Sequence, residues 1–466
     1  MMNHWRAAAL LGGVALTLPA LGADWPQFRG PNGSGVVDAG TLPAAWASDK
    51  NVKWKVDVPG VGWSCPVVVG DKVFVTTAVS ENQNKPRGGG GGGGGGGFGK
   101  GRGAPDKVFQ FQLICLDLAT GAQKWKETLI DAKPKIPTHG SNTYASETPV
   151  TDGERVYAYF GMHGLFCYDL AGKQLWKKDL GTFPMMAGWG TASSPVLDGD
   201  RLFIQCDNDE KSFIVALDKK DGHELWREPR TERSTWCTPL VWKNGKRTEI
   251  VAIGSKVRSY NPADGKTLWE LSIGGGQCSV SPVADGDMLF VGAGGRGGGM
   301  GGGRPAGGAP PGGGRPGGEG GGNLFAVKAG ASGDITPKTG ETSSAGVAWV
   351  AAKAGLGMAS PLAYKGHVYV FERNGGLVSC FDEKTGKPAY SKERISGAKA
   401  FWASPYANDG KVFATDEEGT TFVLEAGPKF NLLGQNSLKG MFWTTPAAAG
   451  ESVLLRSTDS LFCVKK

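Results

Sequence analysis

A short pattern of apolar and polar positions recurs along the chain. A proline opens a run of β-forming residues, a Gly or Asp follows, and a second β-forming run comes next. The prolines that mark it are Pro66, Pro149, Pro195, Pro239, Pro282, Pro361, Pro405 and Pro446. Their successive spacings, by subtraction, are 83, 46, 44, 43, 79, 44 and 41 residues. A period in the forties is typical of β-propeller blades. The pattern predicts an all-β fold, an eight-bladed β-propeller of four-stranded antiparallel blades.

The third repeat illustrates the strands of one blade. We expect an inner strand over 193–197, a tight turn at 198–200, a second strand over 201–204, a third over 213–218 and an outer strand over 224–226. Alternate residues of a strand point to opposite faces, so each face of the blade buries one apolar set.

The two ends of the chain complete one another. The eighth repeat stops after its third strand, 460–464, and only Lys465 and Lys466 follow. Residues 51–56 form an outer strand with no blade before it. Pairing this strand with the last blade removes an exposed sheet edge. The sequence therefore predicts a ring closed by an N-terminal strand.

A second pattern lies at the turn before the outer strand. It has a small residue, then Asp or Asn two positions later, Gly six positions later and an aromatic residue ten positions later. Asp bonds its own backbone, Gly accepts positive φ, and the aromatic ring covers a neighbouring blade. The full pattern ends at Trp125, Trp226, Trp269 and Tyr390, and a form one residue shorter ends at Trp176.

These turns resemble the tryptophan-docking turns of pyrroloquinoline-quinone (PQQ) propeller repeats, from about residue 50 to the end. Residues 24–31 (DWPQFRGP) and 144–153 (YASETPVTDG) are similar to exported bacterial PQQ-binding-like β-propeller repeat proteins. The chain also resembles outer-membrane assembly factors of the BamB type. The resemblance implies the propeller fold firmly and the function loosely, because propellers host many functions.

The beginning of the chain indicates export. Arg6 precedes an apolar stretch over 7–18, and a small-residue cleavage site lies at 20–23. We predict a signal peptide at 1–23, an N-terminal segment at 24–50 and a propeller at 51–466, in the periplasm or secreted. The net charge of +7 gives no case for nucleic acid. We expect a monomer without a transmembrane segment.

Two glycine-rich insertions, 85–105 and 292–322, interrupt the first and fifth repeats. Their composition favours flexible solvated loops. The alternative is a pair of basic arms that contact an anionic surface.

The eight cysteines do not form a regular disulfide pattern. Four occupy the same position of four different blades, where they are held apart and fit small buried side chains. These four are Cys115, Cys167, Cys380 and Cys463. The others, Cys65, Cys206, Cys237 and Cys278, are scattered without C-x-x-C spacing, which argues against a metal site.

Large side chains recur just before the marker prolines, where the chain enters each inner strand. They define a candidate axial pocket of Trp63, Trp189, Trp236, Met358, Trp402 and Trp443. Such residues can stack a planar ligand or grip a peptide. Alternatively, they fill the mouth of the channel or the seams between blades.

Candidate acid–base chemistry is sparse. His139 lies on a channel-side loop with Glu147 nearby, and a solvated loop histidine is the simpler interpretation. The acidic segment 207–210 could hold calcium, but it lacks the ligand register of a known loop, which favours a polar turn. We assign no catalytic or metal residue.

Two functions follow from these features. The first is a non-enzymatic exported scaffold for envelope protein assembly or interaction, which binds protein partners at the channel-mouth face without a cofactor. The alternative is a PQQ-dependent quinoprotein dehydrogenase that uses calcium to oxidise an alcohol or sugar. The resemblance implies that such an enzyme carries adjacent cysteines and a carboxylate-plus-amide calcium site. This chain has no adjacent cysteines, and no such Glu, Asn and Asp set stands out.

Overall fold

The computed structural model describes residues 24–38, 40–83, 85–86, 103–274, 278–294 and 322–466. These residues form eight sheets, and each sheet contains one four-stranded antiparallel blade; two of the sheets carry a fifth, parallel strand. The predicted eight-bladed, all-β propeller is therefore confirmed. The predictions for residues 1–23, and for most of the two glycine-rich insertions, lie outside the described residues.

The first four blades follow the chain order from inner to outer strand. Blade 1 contains Val67–Val69, Lys72–Val79, Phe109–Asp117 and Gln123–Ala132. Blade 2 contains Val150–Thr151, Arg155–Phe160, Gly164–Asp169 and Gln174–Lys178. Blade 3 contains Val196–Asp198, Arg201–Cys206, Phe213–Asp218 and Glu224–Pro229. Blade 4 contains Leu240–Lys243, Thr248–Ile253, Lys256–Tyr260 and Thr267–Ser272.

The remaining blades keep the same order, and the eighth takes its outer strand from the N-terminal part of the chain. Blade 5 contains Val283–Asp285, Met288–Gly292, Gly322–Lys328 and Val347–Leu356. Blade 6 contains Leu362–Tyr364, His367–Phe371, Leu377–Asp382 and Pro388–Arg394. Blade 7 contains Tyr406–Asn408, Lys411–Thr415, Thr420–Glu425 and Leu432–Ser437. Blade 8 contains Ala447–Ala449, Ser452–Arg456, Ser460–Val464 and Val52–Asp57.

Ring closure occurs as the sequence predicts. The strand Val52–Asp57 pairs antiparallel with Ser460–Val464, and Trp54 lies opposite Cys463. The last blade consequently has a full set of four strands. Main-chain hydrogen bonds thus join the two ends of the propeller.

Docking tryptophans join five of the eight blades to the next blade along the ring. Five of them donate the indole N–H to a backbone carbonyl in the turn of the following blade, at 2.9–3.2 Å. The pairs are Trp54 with Leu118, Trp125 with Leu170, Trp176 with Lys219, Trp226 with Pro262, and Trp349 with Glu383. The Trp54 ring covers Gly121, whose φ is +73° and where a Cβ would lie only 2.8 Å from the ring. The turn therefore needs glycine for both its conformation and its contact.

Trp269 docks differently from the other tryptophans. Its indole N–H donates to the carboxylate of Glu249 in its own blade at 2.6 Å, and the side chain is fully buried. An extra strand, Gly333–Asp334, pairs parallel with the outer strand of blade 4 beside it. Blade 5 thus meets blade 4 through an inserted strand in place of the docking turn.

The N-terminal segment crosses the central channel, which the sequence does not predict. Trp25 exchanges two backbone hydrogen bonds with Val68 of blade 1, and Pro26 accepts one from blade 2. The strand Val36–Val37 then pairs parallel with the inner strand of blade 7. A 3₁₀ turn, Pro31–Gly33, lies between these contacts. Residues 24–37, termed the plug, therefore span the channel from one side of the ring to the other.

Arg29 anchors the plug on a third side. Its guanidinium is buried and donates to the carbonyls of Ser34 at 3.0 Å and of Pro361, at the start of blade 6, at 2.7 Å. Burial lowers the pKa of Arg29 to about 9. The channel beneath the entry segments is therefore filled by the chain itself.

The cysteines at equivalent blade positions are free thiols in the described residues. Cys115, Cys167, Cys380 and Cys463 are all fully buried within their blades. Burial raises the pKa of Cys115 and Cys167 to about 12. This is the environment that the repeat alignment predicts for them.

No helix in the described part of the chain is long and apolar enough to cross a membrane.

Candidate functional site

The candidate site lies where the chain enters the inner strands, which we call the mouth face. The connections from the second to the third strand of each blade reach the same face, because neighbouring strands are antiparallel. Entry segments and connections of adjacent blades bond to one another there. Phe401 N donates to Arg373 O at 3.1 Å, and Phe442 N donates to Glu417 O at 3.0 Å.

Three of the predicted side chains form a continuous stack. Trp402 and Trp443 lie with ring centroids 3.9 Å apart and planes inclined by 15°. Trp63 continues the stack on Trp443, with centroids 5.3 Å apart and planes at 30°. These residues come from the entry segments of blades 7, 8 and 1, which are neighbours in the closed ring. We call them the tryptophan row.

A cation and a carboxylate flank the tryptophan row. The Arg373 guanidinium lies over the Trp402 ring, 4.1 Å from its centroid, in a cation–π contact. Trp402 donates its indole N–H to Glu417 at 3.2 Å. Burial lowers the pKa of Arg373, and the charge of Glu417 partly opposes that effect. Neither charged residue was predicted, because Arg373 and Glu417 belong to inter-strand connections, which the repeat pattern does not align.

The row also contains polar groups without partners. The indole nitrogens of Trp63 and Trp443 are buried and have no hydrogen-bond acceptor among the described residues. Arg456, behind the entry segment of blade 1, is fully buried and donates to Ser64 O at 2.8 Å. Burial lowers its pKa to about 10. Buried donors are normally satisfied by protein groups or by ordered water.

The other predicted residues lie elsewhere on the mouth face. Trp189 and Trp236, from blades 3 and 4, meet at 5.9 Å with planes at 54°. His139 stacks on Trp189 with centroids 4.3 Å apart and planes at 5°. Met358 is half-buried and follows Gly357, which packs against Arg373. The predicted aromatic positions therefore form two groups, separated by blade 2 on one side of the ring.

Glu147 is the buried carboxyl group near this second aromatic group. It accepts hydrogen bonds from Thr191 Oγ1 at 2.5 Å and from Gly161 N at 3.2 Å. Burial raises its pKa to about 7, against the lowering effect of the Thr191 bond. His139 instead bonds Ser141 through Nδ1 at 2.7 Å. The two residues therefore have separate environments.

The acidic segment 207–210 serves to connect blades. Asp207 forms a fully buried, two-pronged ion pair with Arg230, at 2.7 and 3.1 Å. Arg230 also donates to Tyr260 of blade 4 at 2.7 Å. Asp209 accepts from the Ser234 hydroxyl at 2.9 Å. Asp207 and Asp209 are therefore engaged within the fold, and the sequence does not predict the buried ion pair of Asp207.

A small cavity lies between blades 2 and 3. It has a volume of about 20 Å³. Its lining includes Ser193, Gln205 and Thr191, the residue that donates a hydrogen bond to Glu147. Ser193 Oγ and Gln205 Oε1 lack partners among the described residues. A polar space of this size suits about one water molecule. It is too small for an organic cofactor.

The fold and its repeated docking turns define a β-propeller of the PQQ-repeat superfamily. The family model described as outer membrane protein assembly factor BamB matches residues 110–296 and 254–427. These matches together span more than half of the sequence, and the chain belongs to this family. A search of curated proteins gives no match.

Solved structures share the fold at low sequence identity. BamB from Moraxella catarrhalis has a TM-score of 0.56 and 11% identity, covering 89% of this chain and 99% of that chain. The quinohemoprotein alcohol dehydrogenase from Comamonas testosteroni has a TM-score of 0.55 and 12% identity, covering 95% and 80%. A europium-containing methanol dehydrogenase has a TM-score of 0.50 and 10% identity, covering 93% and 89%. This fold is therefore shared by an assembly factor and by dehydrogenases.

The tryptophan row does not fit a quinone bound with a cation. Such a group needs an open aromatic face and several oxygen ligands for the cation. Trp402 is covered by Trp443 and Arg373, and Glu417 is bonded to Trp402. Among the described residues, one set of three His, Cys, Asp or Glu side chains lies close enough together to hold a metal ion. The set is Asp218, Asp221 and His223, in a partly exposed turn. That turn is at the opposite end of blade 3 from the mouth face.

Proposed function

We propose that this protein is a non-enzymatic, exported binding propeller that holds a partner protein on its mouth face. The observation that carries the proposal is the tryptophan row with Arg373 beside it. Tryptophan and arginine are the side chains that most often dominate protein–protein binding energy. The row is partly exposed at Trp402 and Trp443, so a partner can contact it.

The exposed aromatic surface of the row favours a peptide partner. Parts of Trp402 and Trp443 are exposed on the mouth face. Apolar side chains of an extended segment can pack against these ring edges. A fixed stack of rings also loses little side-chain entropy on binding.

The plug restricts how a partner can bind. Residues 24–37 cross the channel below the entry segments, with backbone contacts to blades 1, 2 and 7. A partner therefore rests on the mouth face and does not thread through the ring. This arrangement favours recognition of a surface segment, such as a loop or an edge strand.

Family membership supports a role in the cell envelope. The model of this family is described as outer membrane protein assembly factor BamB. We therefore infer an envelope or periplasmic location, reached through the predicted signal peptide at 1–23, and a partner in envelope protein assembly. The alternative of a PQQ dehydrogenase is disfavoured by the covered faces of Trp402 and by the engagement of Glu417.

Site-specific photocrosslinking tests the proposal. A benzoylphenylalanine replacing Met441, two residues before Trp443, should give a discrete protein adduct in the cell envelope. The adduct should be lost on Trp402→Ala and retained on His223→Ala, an exposed residue in a turn at the opposite end of blade 3. The same probe at Leu225, on an outer strand, is the position control. Adducts that do not depend on Trp402 contradict the proposal.

A further inference from the structure

Two cysteines that look scattered in the sequence meet at the junction of blades 4 and 5. Cys237 precedes the inner strand Leu240–Lys243, and Cys278 precedes the inner strand Val283–Asp285. Trp236 N donates to Cys278 O at 2.8 Å, so the backbones of the two entry segments lie side by side. The sequence hides this pair because Cys237 lies two residues before its marker proline and Cys278 lies four before its own.

The two thiols belong to the same buried cluster. Both side chains are buried, with exposures of 0% for Cys237 and 1% for Cys278. The pKa of the Cys278 thiol is raised well above its usual value. The largest cause is the hydrogen bond to Cys237, and the second is burial. Each thiol also donates to a carbonyl, Cys237 to Ile253 O at 3.1 Å and Cys278 to Val280 O at 3.2 Å.

A second hydrogen bond, from a backbone N–H to a side-chain hydroxyl, also joins the two segments. Thr238 N donates to Ser281 Oγ at 3.0 Å, just beyond the thiol pair. Bonds on both sides of the pair hold the two chains next to one another, and a disulfide between them needs Cα atoms about 4.4–6.8 Å apart. The cysteines at equivalent blade positions lack this arrangement, because each lies in the third strand of its own blade.

We propose that Cys237 and Cys278 form a disulfide that fastens blade 4 to blade 5 on the mouth face when the chain folds in an oxidising compartment. The oxidant is a disulfide, carried by a protein or by a small molecule. A thiolate attacks one sulfur of the oxidant and forms a mixed disulfide, releasing one thiol. The second cysteine displaces the other sulfur, so the oxidant leaves as two thiols that carry the two protons and two electrons.

The burial of the pair determines when this reaction occurs. An external disulfide cannot reach thiols with almost no exposed surface, and the raised pKa of Cys278 disfavours its reactive thiolate. Oxidation therefore takes place during folding, before blade 5 closes on blade 4. The finished bond also ties down the segment that carries Trp236, one residue before Cys237.

Refolding in defined redox buffers tests the proposal without relying on the location of the protein. The full chain is refolded with oxidised and reduced glutathione, and separately with reductant alone. Thiols are then alkylated in denaturant and counted by mass. We expect eight alkylated thiols after reducing refolding and two fewer, six, after oxidising refolding. Trypsin should release peptide 234–243 linked to peptide 267–296, each of which contains one cysteine.

Matched variants identify the pair. Cys115 is another buried thiol, and Cys115→Ser should still lose two thiols on oxidising refolding. Cys237→Ser should lose none. If Cys237→Ser does not fold, the linked tryptic peptides of the wild-type chain decide. Eight free thiols in folded protein from both buffers overturn the proposal. So does a disulfide that includes any other cysteine.

Discussion

Trp402 and Trp443 stack at 3.9 Å although 41 residues separate them, by subtraction. They hold the same repeat position in adjacent blades, each three residues before its marker proline. The period that builds the blades therefore also builds the tryptophan row. Trp63 joins it because the closed ring makes blades 8 and 1 neighbours.

Ring closure should depend on residues 52–57 more than on the plug. Removing 24–57 exposes the edge of Ser460–Val464 and also removes the plug, so we expect aggregation or oligomers by light scattering. Removing only 24–50 keeps the closing strand and should give a monomer of lower stability. A monomeric 24–57 deletion with an unchanged Tm contradicts the closure.

The docking tryptophans should stabilise the junctions between blades. Trp226→Ala removes a ring that covers Gly265 and a hydrogen bond to Pro262. We expect a loss of roughly 3–5 kcal/mol in the free energy of unfolding, measured with urea. His223→Ala, in the exposed turn of the same blade, is the matched control and should change stability little. Equal stability of the two variants contradicts the docking role of Trp226.

Glu147 should make stability depend on pH. Its folded pKa of about 7 lies above the ordinary 4.5, so the folded protein binds more protons than the unfolded chain between these values. Stability should therefore fall as pH rises from about 4.5 to 7, by up to roughly 3 kcal/mol. Glu147→Gln should remove this dependence. The difference in stability between the variant and the wild type at each pH isolates the contribution of Glu147 from that of the other titrating groups. Parallel pH profiles for both proteins contradict the assignment.

The propeller could be predicted from the sequence, and the plug could not. Each blade repeats local spacings, and strands that are close in sequence pair with one another. The plug has no repeat, and its partners are distant in the chain: Arg29 bonds Pro361, and Val36 pairs with Ala407. Such contacts depend on the completed ring, so no local pattern reveals them.

The candidate site was predicted in part. The entry positions identified the large side chains, but their spacing could not show that the row forms across blades 7, 8 and 1. It also could not place His139 on Trp189, because this contact joins the loops of two blades. Arg373 and Glu417 were missed because connections between strands differ in each blade.

The purified protein should not oxidise alcohols or sugars when PQQ and calcium are added. Arg373 and Trp443 cover the Trp402 ring that a quinone would need. We expect dye reduction with alcohols and aldoses to equal a protein-free control. Turnover above that control that is lost in Trp402→Ala or Trp236→Ala favours the dehydrogenase instead.

The most direct test of the central claim is the dissociation constant of the crosslinked partner, once purified, for Trp402→Ala and Trp443→Ala. Hot-spot residues cost about 2 kcal/mol or more, so binding should weaken roughly 30-fold. Trp402→Phe should restore part of the affinity, and His223→Ala should bind like the wild type. The Tm of each variant is measured as a control, and an unchanged Tm shows that its blades remain folded. Affinities within about twofold of the wild type for both alanine variants would contradict a binding site at the tryptophan row.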